Sequence, residues 1–285
     1  MTAPPRVVSV IMPVHDAAAT LGGQLAALAA QDYEGEWELI VADDHSSDDS
    51  AQIARERGAR VVDSDGRGPN RARNAGARAA RGDFLAFCDA DDMAEAGWLT
   101  GLSAAAAGGD LVQGRLDVEA LNDADMRCWH QPLTWERGNP IRQFLPAVST
   151  GNLGMWRSAF EAIGGFSEEV PRGEDKDLGW RAQLAGYEVV RAPEAVMAYR
   201  YRPTPGAVAA QHFGWGMANS RLYRLFRAHG MARTRLRDSL HGWAWLAATV
   251  PLLPLSRRRR GAWARQAGLR AGQLVGSIRH RVVFL

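Results

Sequence analysis

Short apolar runs alternate with amphipathic stretches through the N-terminal part of the chain. Val7-Val8-Ser9-Val10-Ile11-Met12-Pro13 reads as a first buried strand, stopped by Pro13. Thr20 is placed to cap a helix running to about Ala30, with Leu21, Leu25 and Leu28 on one face. A second strand spans Trp37 to Val41, a short helix spans Ser50 to Gly58, and a third strand spans Arg60 to Asp63. An Ala-rich helix over Asn70 to Arg81 then leads into the wholly apolar strand Phe84-Leu85-Ala86-Phe87-Cys88. This β-α-β-α-β-α-β alternation predicts a Rossmann-like, doubly wound, mostly parallel sheet with right-handed crossovers. Ligands of such sheets sit outside the carboxyl ends of the strands. His15-Asp16, Asp43-Asp44 and Asp89-Ala90-Asp91-Asp92 all fall at those ends.

The pattern loosens between Leu111 and about Pro193. A helix is expected around Arg157 to Ile163, stopped by Gly164-Gly165, and another opens at Gly173-Glu174-Asp175-Lys176-Asp177-Leu178 and runs to about Ala185. Glu174, Asp175 and Asp177 crowd its first turn, where capping charges complement the helix dipole as readily as catalytic acids would use the place. The domain reading is 1–220 as one α/β domain, with halves at about 1–110 and 111–220, followed by a basic, Trp-containing helical appendage over 221–285.

Charge sharpens that division. Residues 221–285 hold 14 arginines and one acid, Asp238, a net of +13, and the rest of the chain carries −11, which together give the formal +2. A basic tail on an acidic body calls for an anionic partner. The apolar stretch from Trp243 to Leu255 has 13 residues and two prolines, too short to span a bilayer, and Arg257 to Arg260 follow it at once. Tryptophans and leucines beside a cationic cluster suit a segment, 231–285, lying on an anionic membrane surface. Nucleic acid is not expected as a partner, because the acidic body repels phosphate. The two cysteines, Cys88 and Cys128, give no disulfide framework, and the start of the chain lacks the basic and apolar regions of a secretory leader. A cytoplasmic protein at the inner face of the cell membrane is therefore expected.

Three carboxylates at the end of a buried strand are costly without a positive partner. A hard divalent cation, Mg²⁺ or Mn²⁺, is the natural one, and it would also engage a substrate diphosphate. The ordered segments Val8 to Asp16, Val41 to Asp48, Gly68-Pro69-Asn70-Arg71-Ala72-Arg73-Asn74-Ala75-Gly76, Asp89 to Asp92 and Gly173-Glu174-Asp175 closely resemble the family 2 inverting glycosyltransferases of GT-A fold. The resemblance covers residues 7–92 and 149–187 and leaves out the chain beyond about 230.

That resemblance implies a transferase moving a sugar from a nucleotide-sugar, a UDP-sugar foremost, to an acceptor hydroxyl on a glycan, a lipid-linked molecule or a small molecule. Pro13, Val14, His15 and Asp16 would line the nucleotide pocket, and Asp43 would accept the N3–H of a uracil-type base. Arg71 and Arg73 would flank the nucleotide. Asp89 would approach the ribose or metal-bound waters, with Asp91 a direct metal ligand. Glu174 and Asp175 resemble the family's acidic pair, Asp175 being the general base, and Asn152 is a candidate contact to donor sugar or acceptor. Many relatives carry a late metal-binding histidine. The corresponding stretch here reads Ala198-Tyr199-Arg200-Tyr201-Arg202, so that His212 is a distant candidate and the arginines are alternatives for holding the diphosphate. A sugar-nucleotide pyrophosphorylase lacks support, because Val14 to Ala18 is not a Gly-rich phosphate loop. A non-catalytic membrane scaffold of the same fold would have no use for so complete a set of carboxylates.

Overall fold

The computed structural model describes residues 3–130 and 144–284. Met1 and Thr2, at the head of the run from which no leader is expected, lie outside the described residues. Internal contacts divide the chain into two compact units, Met1–Ala120 with Pro146–Arg200, and Leu121–Leu145 with Tyr201–Leu285.

The first unit begins with β1 (Val7–Val14), α1 (Ala18–Ala29), β2 (Glu36–Asp43), α2 (Ser50–Glu56), β3 (Arg60–Asp63), α3 (Pro69–Ala79) and β4 (Phe84–Cys88). It continues through β5 (Met93–Ala94), α4 (Trp98–Ala105) and β6 (Leu111–Asp117). The chain then gives α5 (Ala124–Trp129) to the second unit and returns with β7 (Asn152–Trp156), α6 (Arg157–Ala162), α7 (Glu174–Leu184) and β8 (Val189–Ala198).

One sheet of eight strands results, in the order β3-β2-β1-β4-β7-β6-β8-β5. The first four are parallel, as the alternation predicts. Beyond β4 the sheet is mixed: β7 runs antiparallel to β4 and β6, β8 runs parallel to β6, and β5 closes the edge antiparallel to β8. Strand side chains alternate between two cores. Phe84, Ala86 and Cys88 of β4 join Leu21, Leu25 and Leu28 of α1 and Trp98 of α4 on one face. Leu85 and Phe87 join Ala77 of α3 and Leu178 of α7 on the other. The sheet is thus covered on both faces, and the order reverses between β1 and β4, the place where open sheets bind ligands.

The predicted cap of α1 is corrected. Thr20 lies inside the helix, its hydroxyl donating back to the Ala17 carbonyl at 3.4 Å. The first amides are satisfied from a distance instead: Ala17 N–H donates to Ser50 Oγ at 2.8 Å and Ala18 N–H to the Asp48 carboxylate at 2.9 Å.

The second unit consists of α5, α8 (Pro205–Phe226), α9 (Leu236–Thr249) and α10 (Arg257–His280) with their connections. The division therefore falls at 200/201, upstream of the 220/221 boundary read from charge, because α8 pairs with α10. Their backbones nearly touch. A Cβ on Gly268 would stand 2.2 Å from the Ala209 carbonyl oxygen, and one on Gly272 2.0 Å from that of Phe213. Among the described residues no helix is long and apolar enough to cross a membrane.

Candidate active site

The end of β1 is tied to the end of β2. Val14 carbonyl accepts from Asp44 N–H at 2.7 Å, and the His15 ring nitrogen Nδ1 lies 2.8 Å from the Asp44 carbonyl oxygen. Asp16, left-handed at φ 46°, accepts from the Ser47 amide at 2.7 Å and from its hydroxyl at 3.1 Å. Those bonds, the amide first, hold its carboxyl below the ordinary carboxylate range. Asp44 in turn accepts the Gly68 N–H at 2.7 Å, positioning the entry to α3. Pro13 to Asp16 thus form a fixed rim, with Asp16 engaged in holding the loop.

Asp43 ends β2 and is only 8% exposed. Its Oδ2 accepts from Ser46 N–H at 3.3 Å, whereas the buried Oδ1 has no hydrogen-bond partner among the described residues. A buried carboxylate oxygen left so is costly unless a ligand donor meets it.

Arg73 is the organising cation. It lies on α3 at 4% exposure, and its guanidinium donates from Nη2 to Asp89 Oδ1 at 2.8 Å and from Nη1 to Glu174 Oε1 at 3.3 Å. It also stands 5.6 Å from the Phe166 ring centroid. Burial pulls its pKa down, but Asp89 and Glu174 outweigh that and hold it above the ordinary value. One side chain therefore brings the end of β4 and the start of α7 to a single site. Arg71, two residues earlier, differs: it is half exposed and pairs with Glu168 at 2.6 Å.

Gly173, left-handed at φ 76°, starts α7 and delivers three acids in one turn. Their surroundings separate them. Asp177 is buried and accepts from Arg181 Nε at 2.8 Å, a structural pairing that also takes up Arg181. Glu174 is held by Arg73, yet its own burial outweighs that cation and raises its pKa. Asp175 is half-buried, and its Oδ1 accepts from Lys176 N–H at 2.7 Å. Its charge is felt by both Arg73 and Glu174.

At the end of β4, Asp89 and Asp92 face each other. A Cβ on Gly151 would stand 3.2 Å from Asp89 Oδ2 and 3.3 Å from Asp92 Oδ2, so a larger residue would crowd both carboxylates. Asp92 is 1% exposed and its Oδ1 accepts the Arg200 N–H at 2.8 Å, while Arg200 Nε donates to the Asp91 carbonyl at 2.8 Å. Among the described residues no three His, Cys, Asp or Glu side chains already stand in a metal-holding arrangement. The donor set at this turn, carboxylate oxygens around a space kept clear by Gly151, nonetheless fits a hard cation. Cys88 beneath it is buried, and burial, with Asp89 and Asp92, pushes its thiol up and keeps it unreactive.

One expectation is corrected. Asn152, expected to touch sugar or acceptor, is fully buried: its Oδ1 accepts from Trp98 Nε1 at 2.8 Å and its Nδ2 donates to the carbonyls of Arg115 and Ala195 at 2.8 and 2.9 Å. It is a core bracket with no atom left for a ligand. Arg73, expected to flank the nucleotide, pairs with Asp89 and Glu174. His212 lies in the second unit, buried, its Nδ1 3.0 Å from the Val208 carbonyl and its ring 4.6 Å from that of Trp215. Burial lowers its pKa to about 4. Sequence reasoning assigned no role to Asp92; its place in the Asp89–Asp92 turn was the available signal.

Comparison with known proteins bears on what this arrangement does. Residues 9–164 match the family model described as glycosyl transferase family 2. Glycosyltransferase AglE of Haloferax volcanii is 27% identical over 236 residues, covering 80% of this chain and 77% of AglE. Other curated glycosyltransferases match over shorter stretches, the chain spanning about a third of their length. Mannosyltransferase PcManGT from Pyrobaculum calidifontis, solved with GDP-Man and Mn²⁺, superposes with a TM-score of 0.69 at 19% identity, over 96% of this chain and 88% of that one. TarS 1–349 of S. aureus, solved with UDP, gives a TM-score of 0.54 at 19% identity, over 98% of this chain and 93% of that one. These two share its fold.

Proposed function

The chain belongs to glycosyl transferase family 2, and we propose that it moves the sugar of a UDP-sugar to an acceptor hydroxyl with inversion at the anomeric carbon. It is a glycosyltransferase of GT-A fold; donor base, stereochemistry and acid–base roles are our assignments. The observation that carries the reading is Arg73, whose one guanidinium holds both Asp89 and Glu174. Donor-side and acceptor-side carboxylates that are far apart in sequence thereby share one site.

The buried Oδ1 of Asp43 accepts the N3–H of uracil, which supplies the donor this oxygen lacks. Asp89 and Asp91, with Asp92 beside them, would hold Mg²⁺ or Mn²⁺, which would supply positive charge against the diphosphate leaving group. Arg200, bound to the Asp91 carbonyl, adds a second cation for that diphosphate. Asp175, half-buried and not paired with Arg73 as Glu174 is, takes the acceptor proton as general base, and single displacement then inverts the anomeric centre. Arg73 neutralises Glu174 so that two anions are not left side by side. The basic 231–285 segment places the protein on an anionic membrane surface at the inner face of the cell.

The test is thermal stabilisation by a panel of nucleotide sugars with Mn²⁺, run on the wild type and on Asp43→Ala. UDP-sugars should stabilise the wild type, and the variant should lose that preference. A preference for GDP-sugars would overturn the uracil assignment, and indifference to every nucleotide sugar would overturn the donor assignment itself.

A further inference from the structure

The C-terminal end of the second unit holds a cationic cavity that the transfer chemistry does not use. After α10 the chain turns at Arg281, left-handed at φ 52°, and hooks back so that Ser277 Oγ accepts from Phe284 N–H at 3.1 Å and donates to its carbonyl at 3.0 Å. Phe284 is buried, with its ring 5.2 Å from that of Tyr223 on α8. The hook and the ends of α8 and α10 enclose an open cavity of about 430 Å³, lined among others by Tyr223, Arg227, Arg233, Ile278, Arg281 and Val283.

No acid among the described residues pairs with these arginines. The described residues of the second unit contain three acids, and each is taken: Asp123 pairs with Arg257 at 3.0 Å, Asp125 with Arg258 at 3.4 Å and Asp238 with Arg237 at 3.4 Å. Arg227, Arg233 and Arg281 therefore face one space with no carboxylate partner among the described residues. The positive field extends along the helices, since His280 is lowered by burial and then by Arg221, Arg279 and Arg224. Apolar side chains stand at the same place. Ile278 is 72% exposed and Val283 61%, with Leu274 and Val275 exposed on the preceding turn of α10. Water solvates the apolar side chains poorly, and a phosphate joined to hydrocarbon suits both features at once.

We propose that this cavity takes the phosphate of an anionic phospholipid, Ile278 and Val283 entering the layer beneath the headgroup. The proposal rests on reading the basic segment as membrane-facing and gives that reading a site. Helix C-termini also favour arginine, which offers a purely structural alternative.

The full chain is tested by co-sedimentation with vesicles of phosphatidylcholine alone and of phosphatidylcholine mixed with phosphatidylglycerol. Two triple variants of equal charge loss are compared: Arg227→Gln/Arg233→Gln/Arg281→Gln in the cavity and Arg235→Gln/Arg259→Gln/Arg260→Gln away from it. The cavity variant should bind the mixed vesicles roughly 100-fold more weakly than wild type, and the control should lose far less. Ile278→Asp should weaken binding while leaving the melting temperature unchanged. Equal losses in the two triple variants would overturn the cavity and leave a general basic surface. Full-length protein that ignores the mixed vesicles at low salt would overturn both. Glycerol phosphate that displaces the protein from vesicles at millimolar concentration would transfer the site to a soluble phosphate ester. A cavity variant that melts earlier yet binds normally would return the arginines to the helix ends.

Discussion

Replacing Arg73 by Met keeps the length of the side chain and removes its charge, which leaves Glu174 and Asp89 without their shared cation. Stranding a buried charge costs about 3–5 kcal/mol. The two carboxylates do not contribute equally, since the Glu174 side chain is 17% exposed and that of Asp89 30%. Asp89 can turn toward water and loses little, so the lower end, about 3 kcal/mol, is appropriate. At about 2–4 °C per kcal/mol for a chain of this size, the melting temperature should fall by about 6–12 °C. The loss also carries a pH signature. Burial already holds Glu174 above the ordinary carboxylate value, and Arg73 works against that rise. Without Arg73 the folded-state pKa climbs further, so the folded variant takes up a proton that the unfolded chain does not yet bind. Its stability then rises as pH falls through the raised folded value, and stops rising below the unfolded one. The gap to wild type should be widest above the raised folded value and should narrow as pH falls through it. Scanning calorimetry across that range decides the matter. A gap of constant size, or a loss under about 2 °C, would refute the ion-pair account of the site.

Asp91→Asn should fold normally and lose metal-dependent nucleotide binding, because an amide is a poorer ligand for a hard cation; full wild-type activity in excess EDTA would count against it. Gly272→Ala should stabilise an isolated helix, yet here its Cβ would stand 2.0 Å from the Phe213 carbonyl oxygen. It should cost about 1–3 kcal/mol and speed hydrogen exchange in α8 and α10, and a stabilised variant would contradict the close packing of those helices. Asn152→Ala strands Trp98 Nε1 and two carbonyls, each worth about 1–3 kcal/mol. The melting temperature should drop while donor KM at a permissive temperature stays put, and the reverse pattern would restore a ligand role.

How much of this was legible beforehand depended on the element. Strands β1 and β4 were plain because a strand buried on both faces is a nearly unbroken apolar run, as in Phe84–Cys88, whose boundaries were met to the residue. The mixed half of the sheet was not, since β5 has two residues and β6 ends in half-buried positions that carry no period. The acidic clusters were visible as residues but not as roles: only geometry separates Asp175 from Asp177, or Arg73 from the surface-paired Arg71. Asn152 misled because its Gly-Asn context suggests a loop, whereas the side chain points into the core. The division at 200/201 had a signal that charge obscured. Gly268, Gly272 and Gly276 recur every four residues along α10, the spacing of a helix whose backbone meets another, in a segment whose arginines drew attention to partners outside the chain.

The central claim is that Asp175 removes the acceptor proton, and Asp175→Asn tests it most directly. Asn occupies the same volume and serves the first turn of α7 nearly as well, so the fold and the Arg73 pairs should persist. The measurement is paired on one preparation: donor affinity by calorimetry, and transfer rate with a working acceptor. The account predicts unchanged donor affinity, set by Asp43, Asp91 and the arginines, with turnover lowered by roughly 10²–10⁴-fold, the usual contribution of a positioned base. Near-normal transfer by Asp175→Asn would contradict it and move the base elsewhere, to Glu174 first and Asp177 second.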